Sequence, residues 1–100
     1  MKFLIIAYDG KDSEAGARRQ KVRERHLAGV RELKKDRKHL YGGAILDDEG
    51  AMIGSMMVVD YPSKEILVSE WLDNEPYVTG NVWQEIEIKP FKLADIFLEG

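Results

Sequence analysis

The chain has 100 residues, no cysteine, and 18 acidic against 15 basic side chains, for a formal net charge of −3. That length suits one domain over residues 1–100 with one core and leaves some apolar surface uncovered. Without cysteine there is no disulfide or thiol chemistry, and metal ligands would have to come from two histidines and carboxylates, so no metal is expected; mixed charge of negative sum gives no electrostatic basis for binding nucleic acid.

Phe3 to Tyr8 is a continuous apolar run closed by Asp9-Gly10, which predicts a central strand buried on both faces. The run stops at Asp9 without a small-residue cleavage pattern, and no later segment is long enough to span a bilayer, so a cytoplasmic protein with no membrane partner is expected. Asp12 or Ser13 can cap a long helix over Glu14–Arg37, a stretch rich in strong helix formers. At about 100° per residue, Ala15, Val22, His26, Val30 and Leu33 share one quadrant, so His26 faces the body of the protein. The other positions of this helix are mostly charged and read as a solvated surface.

His39 to Leu46 predicts a second strand, with Gly42-Gly43 marking a bulge or a close backbone approach. His39 itself reads as structural or exposed. Asp47-Asp48-Glu49-Gly50 is a turn that lacks the spaced ligands of a calcium loop. Met52 to Tyr61 returns as a third strand carrying Gly54-Ser55, with Met52, Met56 and Met57 as filler. Ser63 can cap a second helix to about Asn74, apolar at Ile66, Leu67, Val68, Trp71 and Leu72. Pro76 stops it by disfavouring helical geometry at Glu75, which is thereby held at a helix exit. From Val82 the apolar Val82, Ile86 and Ile88 fall on one parity and Glu85, Glu87 and Lys89 on the other, which predicts a final strand. The tail Phe91–Phe97 extends the sheet or crosses to a second subunit.

Strand, long helix, hairpin, helix and strand with right-handed crossovers give an α+β, ferredoxin-like split βαβ sandwich, its antiparallel sheet carrying both helices on one face. Met56, Val58, Ile86, Ile88, Ile96 and Phe97 then offer apolar surface beyond what two helices hide. A face-to-face homodimer forming an α+β barrel, or a higher oligomer built on it, is the expected cover.

Arg25-His26-Leu27 on the long helix, Tyr41-Gly42-Gly43, Gly54-Ser55, Glu75-Pro76-Tyr77-Val78 and Lys89-Pro90-Phe91, in this order, resemble the YciI-like (YCII-related) domain family over nearly the whole chain. The resemblance implies a dimeric α+β barrel with a small pocket in each subunit. It also implies a His-acid pair, carried over here to His26 and Glu75. Aspartate is usual before that proline, and this chain has glutamate, one methylene longer; Asp73, two residues upstream, is the alternative acid.

A histidine oriented by a carboxylate can act as general base or acid. Ser55 and the glycines at 42, 43 and 54 can leave room and donors beside the imidazole, and Tyr77 or Trp71 can stack on a planar ligand. Ser55 has no paired base in the sequence, which favours hydrogen bonding over a nucleophilic role. There is no GxGxxG, GxxxxGK, nucleophile elbow or HExxH, so no cofactor is expected. The residues fit proton transfer, elimination or isomerisation of a small molecule, and the resemblance agrees, since related dimeric α+β barrels include isomerases and dehalogenating enzymes of aromatic breakdown. The competing reading is a non-catalytic dimeric module for metabolite binding or assembly.

Overall fold

A computed structural model of the chain describes residues 1–98. Its regular elements are β1 (Lys2–Asp9), α1 (Ala15–Lys35), β2 (His39–Leu46), β3 (Met52–Asp60), α2 (Lys64–Glu70), α3 (Pro76–Thr79) and β4 (Trp83–Phe91), with single 3-10 turns at Leu72–Asn74 and Asp95–Phe97. The strands form one sheet in the order β2-β3-β1-β4, every neighbouring pair antiparallel. This is the α+β, ferredoxin-like topology expected from the chain order, with the helices packed on one face.

The register decides which residues meet the helices. Ile5 pairs with Met57 on one side and Ile88 on the other, and Ala7 with Ser55 and Ile86. Residues directly opposite in an antiparallel ladder share a face, so Ile86 and Ile88 lie on the helix side with the fully buried Ile5 and Ala7. This corrects their expected place on the uncovered face. Leu4 beside Val58 and Ile6 beside Met56 line that other face instead. The β1 run is therefore buried on one face only: Phe3, Ile5 and Ala7 are buried, Leu4 and Ile6 partly exposed. Leu67 and Val22 complete the core from the helices with Val59, Trp71, Tyr77 and Val82. Each fully buried aliphatic side chain among these contributes roughly 1.5–3 kcal/mol of transfer free energy.

Several boundaries differ from expectation for local reasons. Glu14, with no side-chain cap, precedes α1, because the Asp12 carboxylate is held by Arg18 at 2.8 and 2.7 Å while also accepting the Glu14 N–H at 3.2 Å. Arg37 takes the left-handed conformation at φ 59°, and the Lys38 N–H reaches back to the Leu33 carbonyl at 2.8 Å, which closes the helix end. Ser63 caps α2 as expected, accepting from Ile66 N–H. After Glu75 the chain does not simply turn; Pro76 starts the short helix α3, since proline suits a first helical position. Pairing of β2 with β3 slips between His39 and Tyr41 and again between Ile45 and Leu46, so the irregularities flank the glycine pair and do not fall on it. Among the described residues the tail adds no further strand: β4 ends at Phe91, and Leu93 and Phe97 lie beside the open sheet face.

Candidate active site

Residues 19, 23, 26, 30 and 34 recur at helical spacing and form a stripe along α1 that looks across to β2. Between them lies a cavity of about 410 Å³, walled by Arg19, Arg23, His26 and Lys34 of α1, by His39 to Ala44 of β2, by Ser55 and Met57 of β3, and by Tyr77 of α3. Among the described residues no carboxylate lines it.

Glu75 is the N-cap of α3, and its Oε1 accepts the Tyr77 backbone N–H at 3.1 Å. The same oxygen lies 2.6 Å from His26 Nδ1, both side chains being buried. An ionised carboxylate only accepts hydrogen bonds, so His26 Nδ1 is the donor to it, and in the neutral imidazole Nε2 holds the free lone pair. The imidazole is clamped further by Tyr77, stacked at 3.9 Å and 9°, and by Trp83 edge-on at 5.8 Å. A sequence-local cap and a turn of proline thus fix the acid, and the helix brings the histidine down to it.

A second network lies beside the first. Arg19 Nη1 donates to both oxygens of Asp9 at 2.9 Å, and Arg19 Nη2 donates to Ser55 Oγ at 3.1 Å. Trp83 Nε1 also donates to Ser55 Oγ at 3.1 Å. Both lone pairs of that hydroxyl are then engaged, and its hydrogen is the group left to donate. The guanidinium sits 4.8 Å over the Tyr77 ring, tying the two networks together. His39 is buried edge-on to Trp71 at 6.4 Å. Burial pushes its imidazole below the ordinary range and the charge of His26 adds to this, while Glu75 acts the other way.

The structure brings His26, Glu75, Ser55, Gly43 and Tyr77 together. Asp73 is exposed on the 3-10 turn, and among the described residues its side chain makes no hydrogen bond, so the acid beside the histidine is Glu75. Gly54 does not line the cavity: a Cβ there would stand 2.5 Å from the Ala7 carbonyl oxygen, so this glycine serves strand packing. Trp71 is likewise outside the wall, stacked on Tyr61 at 6.4 Å in the core. Gly43 has open space at its Cα, whereas a Cβ on Gly42 would stand 3.0 Å from His39 Cε1. The sequence marks Asp9 only as the end of a strand and His39 as structural or exposed, and it singles out none of Arg19, Arg23 and Lys34. The signal for Arg19 was present, since a position four residues after Ala15 falls in the quadrant of Val22 and His26, but a charge there was read as part of the solvated face. No three side chains among the histidines and acids of the described residues gather as a metal site, and no helix among them is long and apolar enough to cross a membrane.

With this geometry, the relatives become informative. The YCII-related domain matches residues 1–92. Protein YciI of Escherichia coli O6:H1 is 33% identical over 98 residues, covering 92% of this chain and 97% of that protein. An uncharacterized protein of Haemophilus influenzae is 30% identical over the same shares of each chain. In three dimensions, 5-chloro-2-hydroxyhydroquinone dehydrochlorinase of Burkholderia phenoliruptrix AC1100, solved with 2,5-dihydroxybenzoquinone, superposes with a TM-score of 0.79 at 24% identity, over 96% of this chain and 98% of the other. At that identity the likeness is one of fold.

Proposed function

The chain belongs to the YCII-related domain family, and from that footing we propose that it is a cofactor-independent enzyme that moves a proton on a small molecule through the His26–Glu75 pair. The observation that carries this reading is the 2.6 Å contact between His26 Nδ1 and Glu75 Oε1 on an imidazole that walls a cavity. In the proposed chemistry Glu75 fixes the tautomer, Nε2 takes a proton from an acidic C–H or O–H of the substrate, and the carboxylate stabilises the imidazolium that forms. Returning that proton to another atom completes an isomerisation; loss of a leaving group with its electron pair completes an elimination. The fold likeness to a dehydrochlorinase makes elimination the first class to assay.

The test is a panel of small carbon acids and chlorinated hydroxyhydroquinones, followed for proton release, exchange or chloride release with the wild-type protein and His26→Gln. Turnover that disappears in the variant while its fold is retained supports the reading. Binding of panel compounds without any conversion would instead favour a non-catalytic metabolite-binding module.

The same reading includes a second copy of the chain on the open sheet face. Leu4, Ile6, Met56 and Val58 there meet Tyr41, Phe91 and Phe97 around an apolar hollow of about 700 Å³. Exposed apolar patches of this kind favour a partner surface, and a face-to-face homodimer would cover it.

A further inference from the structure

Resting on the proposed enzymatic reading, the hydrogen-bonding groups of the cavity narrow what it takes. Among the described residues, two of the wall carry a buried nitrogen without a hydrogen-bond partner, Arg19 Nε and His39 Nε2. Arg19 Nε can only donate, and a neutral imidazole can present Nε2 as a donor in one tautomer. Ser55 adds its unspent hydroxyl hydrogen, because Arg19 and Trp83 occupy both lone pairs. Arg23 and Lys34 bring two more cationic side chains to the wall. Of these, the Arg19 charge is already answered by Asp9 at 2.9 Å, and no carboxylate of the described lining answers the other two. Buried donors in native proteins are almost always satisfied, so a site with spare donors and no acidic lining calls for a ligand that supplies acceptors and negative charge.

We propose that the cavity binds a small planar organic oxyanion, a carboxylate or a phenolate, whose oxygen is held by Ser55 and His39 while Arg23 and Lys34 draw it in. His39 then serves in recognition, on the opposite wall from His26, and the charge sits beside the imidazole that moves the proton. Burial suits His39 to this task, since a neutral ring donates to an oxyanion without adding a second charge next to His26. Arg19 acts from behind, orienting the Ser55 hydroxyl through Nη2 at 3.1 Å.

The experiment titrates the protein with benzoate, 4-nitrophenolate and the neutral benzamide, following backbone amide shifts by NMR. Benzoate or 4-nitrophenolate is expected to shift Gly42, Gly43 and Ser55, with benzamide at least about tenfold weaker; the tighter of the two anions identifies the kind of oxyanion preferred. His39→Leu is expected to weaken anion binding about tenfold, and His39→Gln, which keeps a donor, to retain most of it. Equal affinity for benzamide and benzoate, no binding of either anion, or shifts confined to the open sheet face would overturn the proposal. Repeating the titration with His26→Gln separates the two readings. Anion binding retained there, with no turnover found for the wild type, leaves recognition standing while proton transfer fails; His26-dependent turnover of neutral compounds without anion preference overturns the oxyanion inference alone.

Discussion

His26 Nδ1 and Glu75 Oε1 stand 2.6 Å apart, and that one carboxylate oxygen also caps α3 by accepting the Tyr77 N–H at 3.1 Å. On the proposed reading the acid has a structural and a chemical task that substitution can divide. Glu75→Gln keeps an acceptor for the cap but loses the charge that stabilises the imidazolium. We expect it to lower turnover by about 100-fold or more, in the range of general acid-base contributions, with little loss of stability. Glu75→Ala should in addition lose the cap, about 1 kcal/mol, read by urea denaturation. Asp73→Asn, altering an exposed side chain, should change neither. A His26 ring-proton resonance that moves in Asp73→Asn and not in Glu75→Gln would contradict the assignment of the acid.

The order of elements was legible because it rests on local signals: an apolar run, a capped helix at Ser63, a proline after Glu75, alternating parity from Val82. The faces of the sheet were harder. Parity says that Ile86 and Ile88 share a side, but only the register with Ile5 and Ala7 says which side the helices cover. Likewise His26 and Glu75 each showed a direction in the sequence, inward on a helix and fixed at a turn, and the resemblance joined them. The network of Arg19, Asp9, Ser55 and Trp83 draws one group from α1 and three from β1, β3 and β4. Its members are separated along the chain and carry no spacing motif, so pairing of the strands has to be known before the cluster exists.

That network yields the second prediction. Arg19 and Asp9 side chains are 6% and 5% exposed, so removing one partner leaves the other charged and buried. Asp9→Asn or Arg19→Met should each destabilise the fold by about 3–5 kcal/mol, whereas replacing both together should cost less than the sum. Chemical denaturation of the singles and the double mutant measures the coupling. Strict additivity would mean that the pair is not an energetic unit.

His39 sets a pH dependence. Burial, the larger cause, holds its folded-state pKa below the ordinary histidine value of 6.5, and a protonated His26 acts the same way. A lowered pKa means that the unfolded chain binds the proton first, so stability rises with pH in that window. The contribution is full above about pH 6.5, the unperturbed histidine value, and is lost as pH falls below it toward the folded-state pKa. Urea midpoints measured from neutral to mildly acid pH should therefore fall more steeply for the wild type than for His39→Leu. Parallel profiles would show that His39 does not titrate in this way.

The open sheet face gives the last prediction. Leu4 and Ile6 of β1 stand next to Val58 and Met56 of β3, and the hollow over them is rimmed by Tyr41, Phe91 and Phe97. Ile6 is the most direct probe, because its strand is central and its side chain points away from the helices, opposite to Ile5. Ile6→Lys should leave the helix-side core intact but place an ammonium in the proposed contact, where an unpaired charge resists desolvation. Sedimentation is expected to find the wild type as a dimer at micromolar concentration and Ile6→Lys as a folded monomer. Because a partner that binds only the folded chain stabilises it by mass action, the wild-type melting temperature should also rise with protein concentration, and that of the variant should not. A wild-type chain that sediments as a stable monomer, with a melting temperature independent of concentration, would rule out a second copy as the cover of this face.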